Sequence, residues 1–322
     1  MSELLKTVDA RTRLAGTNKL ELLLFSLGVD ARTGRRETFG INVFKVREVM
    51  RTPRITAAPE MPDAVEGMVS LRGVLVPVVD LGKYAHIAED QPRDVMIVTE
   101  YNGRTQGFLV EAVDTILRLD WAQMKVPPDM VTARMGGLVT AVTELADGRL
   151  VMLLDVERVL SETTHYDDDF LFKDIQPLGR SDVTVFFADD SSVARGQIQR
   201  TLEKMGVKYF AAINGKQAWE ELQKVAQYAE ANGKTARDFV HIVVTDVEMP
   251  EMDGYILTKM IKSDHRFLGI PVIMHSSLSG MSNQQLGRSV GVDDYVSKLE
   301  PQRLAEMITR FVNGQPRLAT TA

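Results

Sequence analysis

Phe239-Val-His-Ile-Val-Val-Thr-Asp246-Val-Glu-Met-Pro250-Glu-Met-Asp-Gly254 is the stretch on which the reading of this 322-residue chain turns. An apolar run (Val240, Ile242, Val243, Val244) stops at an aspartate, and a proline and a glycine follow. Such a run reads as a strand buried on both faces, as in a parallel sheet, with the Pro and Gly opening a loop. Asp246 then stands at the strand's carboxyl end, where open α/β sheets gather ligands and chemistry. A strand-ending aspartate can equally do no more than cap the next helix. This stretch alone leaves the two readings level.

Working outward, residues 182–313 alternate strand and helix. Apolar strands are expected at 183–188, 207–211, 239–245, 271–275 and 294–296. Between them Ala194, Ile198, Leu202 and Met205 share one helical face, and Leu304, Met307, Ile308 and Phe311 share another. Five strands alternating with helices predict a flavodoxin-like, doubly wound parallel sheet of order 2-1-3-4-5. Strands one and three are neighbours in that order, so Asp189-Asp190 and Asp246 meet at one edge. Three carboxylates there repel unless a cation offsets them, and a hard divalent ion such as Mg2+ prefers oxygen ligands. The fourth strand ends in Ser276-Ser277 and the fifth is followed by Lys298. Carboxylate nucleophile, Mg2+ cradle, hydroxyl and lysine together are what an aspartyl-phosphate centre requires.

These pieces, Phe187-Ala-Asp189-Asp190-Ser-Ser, the Asp246 stretch, Pro271-Val-Ile-Met-His-Ser276-Ser and Tyr295-Val-Ser-Lys298, resemble two-component receiver domains over about 182–313. The resemblance implies Asp246 as phosphoacceptor and Asp189 with Asp190 as the acidic Mg2+ pocket, completed by the Glu248 backbone carbonyl. It implies Ser276 as switch hydroxyl, Tyr295 as switch aromatic and Lys298 as the phosphoryl contact. Two departures stand out. Leu299 and Glu300 separate Lys298 from Pro301, where receivers usually place proline directly after the lysine. His275 precedes the switch hydroxyl at a usually apolar position, and is expected to face a neighbour or solvent rather than a metal.

Residues 19–160 follow a different pattern of short β runs and turn signals. Asn102-Gly103 lies between Val95-Thr99 and Gln106-Val110, and Asp147-Gly148 between Leu138-Glu144 and Leu150-Leu154. Both dipeptides tolerate the positive φ of type I′ hairpin turns. Many short strands imply antiparallel sheets closed into small barrels. In the block Val65-Glu-Gly-Met-Val-Ser-Leu-Arg72-Gly73-Val-Leu-Val-Pro77-Val-Val-Asp80-Leu, Arg72-Gly73 reads as a turn, and Pro77 demotes its run to an edge strand or a bulge. With Phe39-Gly-Ile-Asn-Val-Phe-Lys-Val-Arg-Glu-Val49 and Ile55-Thr-Ala-Ala-Pro59, this block resembles the CheW adaptor family of bacterial chemotaxis over about 18–160. That resemblance implies an all-β domain of two SH3-like β-barrels and a scaffolding role between chemoreceptors and the histidine kinase CheA. It also implies that Arg72 belongs to a partner-binding surface; by itself Arg72 reads as a solvated turn charge.

Residues 1–18 read as a lead-in, 161–181 as an acidic linker in which Phe170-Leu171-Phe172 docks on a domain, and 314–322 as a tail. Composition agrees with a two-domain, intracellular protein. Of the residues 44% are hydrophobic and 25% charged, cysteine is absent, and no apolar run reaches the roughly 18 residues that span a bilayer. The chain opening Met1-Ser-Glu-Leu-Leu-Lys6 has no signal-peptide core. Net charge is −6, with 20 basic against 22 acidic residues in 1–160 and 18 against 22 after it, so neither half favours nucleic acid. An adaptor followed by a receiver resembles the CheV family of chemotaxis coupling proteins. The function this implies is a cytoplasmic, array-associated adaptor between chemoreceptors (methyl-accepting chemotaxis proteins) and CheA. It would be regulated by phosphorylation of Asp246 and would not be an enzyme in its own right. A phosphate sink for CheA on a constitutive scaffold is the alternative. A Mg2+-dependent phosphatase with Glu248 as acid/base is a third reading, disfavoured by Asp189-Asp190 on the first strand.

Overall fold

The computed structural model describes residues 19–30, 33–57, 59–87, 93–101, 104–128, 130–131, 135, 137–163, 168–276, 289–298 and 300–314. The lead-in 1–18, the Asn102-Gly103 turn, Asp167, Ser277, Leu299 and residues 315–322 lie outside them. The chain divides into two compact units, one formed by Lys19–Tyr166 and the other taking in the chain from Asp167 onward.

The first unit is built from strands β1 (Lys19–Val29), β2 (Arg36–Asn42), β3 (Val46–Arg51), β4 (Val65–Leu71), β5 (Val74–Asp80), β6 (Val95–Tyr101), β7 (Arg104–Val110), β8 (Ala112–Asp120), β9 (Val139–Glu144) and β10 (Leu150–Leu154). Helix α1 (Leu81–Tyr84) follows β5, and α2 (Val156–Thr163) follows β10. The strands form two five-stranded sheets, β8-β1-β2-β10-β9 and β3-β6-β7-β5-β4. The sheets repeat one plan. A hairpin (β9-β10 or β4-β5) lies parallel to the next strand (β2 or β7), and the remaining pairs are antiparallel. The sheets are therefore mixed rather than purely antiparallel.

Burial on both faces explains the near-continuous apolar runs. On β1, Leu20, Leu22 and Leu24 point into a core that the first sheet shares with Trp121 and Met124. Alternate residues Leu23, Phe25 and Leu27 enter a core shared with Val79, Ile97 and Phe108 of the second sheet. Val76, Val78, Met96 and Val98 form the second sheet's own core.

Arg72-Gly73 is a two-residue hairpin turn with φ of 52° and 83°, as a type I′ turn requires. Asp147-Gly148 lies instead in a longer loop closed by Leu145 N to Arg149 O at 2.8 Å, in which Gly148 carries a positive φ of 83°. Pro77 is not on an edge strand: β5 sits between β7 and β4. Pairing to β7 begins at Val78, one residue past the proline, so that ladder does not call on the missing N–H. The register shift falls on β4, between Val65 and Gly67.

In the second unit, β11 (Thr184–Ala188), β12 (Lys208–Ala212), β13 (Ile242–Thr245), β14 (Val272–Ser276) and β15 (Asp294–Ser297) form one sheet of order β12-β11-β13-β14-β15, parallel throughout. Helices α3 (Ser192–Met205) and α6 (Pro301–Val312) cover one face, with Ile198, Leu202, Leu304 and Ile308 in its core. Helices α4 (Gly215–Ala231) and α5 (Gly254–Ser263) cover the other, with Leu222, Leu257 and Ile261. This is the doubly wound order expected from the alternation of strand and helix. The acidic stretch ahead of β11 is anchored to this unit. Phe172 and Ile175 are buried in the α3–α6 core, and the Arg200 guanidinium lies 4.3 Å from the centre of the Phe172 ring. Phe170 of the same stretch remains exposed.

Candidate functional site

The site lies at the carboxyl ends of β11, β13, β14 and β15. Ala188 pairs in register with Thr245, so the residues that follow, Asp189 and Asp246, emerge side by side. Asp246 N also donates to Ala188 O at 2.8 Å. The helix-cap reading of Asp246 is removed by its neighbours. Asp253 caps α5, accepting from Ile256 N at 2.7 Å, and Ser191 rather than Asp190 caps α3. Asp246 instead accepts from the next backbone N–H, that of Val247, at 2.7 Å.

Carboxylate oxygens of Asp189, Asp190 and Asp246 lie within 4.8 Å of one another. Lys298 bridges two of them, its Nζ standing 2.9 Å from Asp246 Oδ2, 2.9 Å from Asp189 Oδ2 and 3.1 Å from Asp189 Oδ1. Asp189, Asp246 and Lys298 are all buried, whereas Asp190 is partly exposed. Burial pushes the Asp246 carboxyl well above the ordinary carboxylate range. Lys298 opposes that shift, and the charges of Asp189 and Asp190 add to it. The pocket therefore carries more negative charge than one lysine offsets, and its donors are all oxygens. Among first-choice cations for such a set are hard divalent ions.

Ser276 ends β14, is buried, and accepts at its carbonyl from Lys298 N at 3.3 Å. Tyr295 on β15 pairs in register with Met274, and its hydroxyl lies 3.2 Å from that of Tyr255. Glu248 is partly buried two residues beyond Asp246 in the same loop. His275 is buried on β14 with Nδ1 3.8 Å from Asp189 Oδ2, so it faces a neighbour and not solvent. Arg72 is in the other unit, exposed in its turn and paired with Glu48 at 3.0 Å. Val74 and Leu75 beside it are exposed as well.

Two contributors, Arg195 and Tyr255, escaped the motif reading, and a third, Gly254, entered it only as a loop residue. Arg195 Nη1 donates to the carbonyls of both Asp189 (2.9 Å) and Asp190 (2.8 Å), fixing the peptide that carries the acidic pair. Its place in the first turn of the helix following the pair is the only sequence signal for that role. Gly254 lies so close to the phosphoacceptor candidate's peptide that a Cβ there would stand 1.9 Å from the Asp246 carbonyl oxygen. Tyr255, next in the chain, reaches Tyr295 across the sheet.

Comparison with known proteins agrees with this division of the chain. Residues 23–164 match the family described as CheW-like domain, and residues 185–309 match the response regulator receiver domain. The chain is 29% identical to the chemotaxis protein CheV1 of Helicobacter pylori over 97% of its own length and 99% of that protein's. It is 32% identical to the chemotaxis protein CheW of Klebsiella aerogenes, a match covering 47% of this chain and 87% of that one. The chemotaxis protein CheY1 of Helicobacter pylori is 36% identical, over 37% of this chain and 89% of that one. A CheW-like domain followed by a receiver domain, aligned nearly end to end with CheV1, places the chain in the CheV family of chemotaxis coupling proteins.

Proposed function

We infer that the first unit couples chemoreceptors to the histidine kinase CheA, and that phosphorylation of Asp246 in the second unit adjusts that coupling during adaptation. The observation that carries this reading is the contact of Lys298 Nζ with both Asp246 and Asp189 at 2.9 Å. It is the arrangement that a phosphoryl group on Asp246 would exploit. The Asp246 carboxylate attacks phosphorus, an O–P bond forms, and the P–N bond to the kinase's phosphohistidine breaks with the electron pair leaving on the imidazole nitrogen. Lys298 then neutralises an equatorial oxygen, and Ser276 at the end of β14 supplies a hydroxyl donor.

Asp189, Asp190 and Asp246, with the backbone carbonyl of Glu248, would hold Mg2+. When bound, it offsets charge on the transferring phosphoryl group. The fit rests on three oxygen donors within 4.8 Å and on the excess negative charge of the pocket. The phosphorylated aspartate draws Ser276 and then Tyr295, repacking the surface around β15. A coupling of about 1–3 kcal/mol between this site and the adaptor surface around Arg72 is enough to retune a kinase.

The proposal places the protein at chemoreceptor arrays; among the described residues no helix is long and apolar enough to cross a membrane. The test compares the affinity of the full chain for receptor arrays and for CheA with and without acyl phosphate and Mg2+. A change of fivefold or more that Asp246→Asn abolishes supports a regulated adaptor. Unchanged affinity with normal phosphorylation makes the receiver a phosphate sink, and overturns regulation of coupling.

A further inference from the structure

Tyr255 opens the first turn of α5, directly after the glycine that packs on the Asp246 carbonyl. That glycine is tied to the Asp246 loop by Gly254 N donating to Val247 O at 2.9 Å, so the loop and the base of the helix are joined by a backbone hydrogen bond. Tyr255 is buried, and it shares a small apolar cluster with Val247, Met274 and Val292, against which Tyr295 packs. Met274 and Tyr295 are register partners on adjacent strands, so their side chains stand on the same face of the sheet. The Tyr295 ring therefore lies across Met274 toward α5, and its hydroxyl meets that of Tyr255 at 3.2 Å. Burial raises both phenols, Tyr295 to about 12 and Tyr255 further, so each remains a neutral hydroxyl at ordinary pH.

We propose that Tyr255 is the positioning residue for Tyr295, its hydroxyl holding the Tyr295 ring inward across β14 and tying the ring's position to the helix that the Asp246 loop carries. The inference rests on the reading of Tyr295 as the switch aromatic. It adds a second handle on that ring beside Ser276. Movement of the Asp246 loop is felt at Tyr295 through α5, from one side of β14, while Ser276 acts from β14 itself. A single hydrogen bond between neutral hydroxyls sets a modest bias, about two- to tenfold in the inward-to-outward ratio of the ring. A bias of that size leaves the switch movable.

The test uses the full chain labelled with 13C-methyl methionine, with the Met274 signal assigned by Met274→Leu. Met274 lies beside both rings, so its methyl shift reports the position of Tyr295. Tyr255→Phe and Tyr295→Phe keep the rings and remove one hydroxyl each. Each is expected to move the Met274 signal in the same direction, and the double variant no further than either. Tyr255→Phe is also expected to change the half-saturating concentration of beryllofluoride, a phosphoryl mimic added with Mg2+, by two- to tenfold. A Met274 signal unmoved by Tyr255→Phe, or shifts that simply sum in the double variant, overturns the proposal. Failure of the underlying receiver reading looks different: Asp246→Asn would then respond to beryllofluoride as the unmodified chain does, whatever Tyr255 contributes.

Discussion

Lys298 Nζ stands 2.9 Å from Asp246 Oδ2 and the same distance from Asp189 Oδ2, joining residues at the ends of the fifth, third and first strands of the sheet. One ammonium shared by two buried carboxylates leaves the pocket poised. It is stable enough to fold and negative enough to favour a cation.

That balance predicts the effect of Asp246→Asn on stability. Burial raises the folded-state carboxyl of Asp246, so its ionised form opposes folding at neutral pH. The sign follows from linkage: a raised carboxyl is favourable below its unfolded value, and that contribution is lost as pH rises through the folded value. Asp246→Asn should therefore stabilise the second unit at pH 7, since Lys298 keeps Asp189 as its partner at 2.9 Å. Urea unfolding at pH 7 and pH 5 checks this, with a smaller gain at pH 5.

Asp253 offers a cleaner case. Its side chain caps α5 through Ile256 N at 2.7 Å, and burial pushes its carboxyl up to about 6. Asparagine caps a helix about as well and carries no charge to bury. Asp253→Asn should thus be stabilising at pH 8 and less so at pH 5, because the unfolded carboxyl is already ionised there while the folded one is not, whereas Asp253→Ala should lie about 1 kcal/mol below Asp253→Asn at either pH through the lost cap. Thermal unfolding at the two pH values separates the two variants.

Gly254→Ala should damage the site more than the fold around it. The added methyl would meet the Asp246 carbonyl oxygen at 1.9 Å and Thr245 Oγ1 at 3.2 Å, so the Asp246 loop must shift. The expected outcome is a loss of about 1–3 kcal/mol in stability, together with a fall of at least tenfold in the rate of labelling of Asp246 by acyl phosphate, far beyond what the lost folded population accounts for.

In the first unit, Arg93 and Asp80 form an ion pair at 3.1 Å with both side chains 4% exposed. Asp80 also caps α1 through Gly82 N and Lys83 N. Arg93→Met leaves that carboxylate buried without its cation, a change that typically costs about 3–5 kcal/mol. Receptor-array binding should fall in parallel with the folded fraction measured by circular dichroism.

Much of the second unit was legible because its signals are local. The run ending at Asp246, the acidic pair after the first strand and the lysine after the fifth each sit at a strand end, and one strand order brings them together. Contacts between distant segments were less legible. Pro77 suggested an edge strand or a bulge; the strand is internal, because β7 pairs with β5 only from Val78 onward, and the register shift of the β4–β5 pair lies on β4 between Val65 and Gly67. The repeated five-strand plan of the first unit rests on parallel pairs such as Val151–Leu153 with Thr38–Gly40, far apart in the chain. Phe172, in an acidic stretch that reads as linker by composition, docks on the second unit's core as the Phe170-Leu171-Phe172 run suggested, while Phe170 stays exposed. Arg195 and Tyr255 act through a backbone carbonyl and a hydroxyl across a sheet, and neither leaves a motif.

Transfer of labelled phosphate from phosphorylated CheA to the full chain, followed by mapping of the labelled residue, tests the central claim most directly. The account predicts rapid, Mg2+-dependent transfer to Asp246 that Asp246→Asn abolishes while receptor binding persists. Equal labelling of Asp246→Asn, or transfer indifferent to Mg2+, would contradict it.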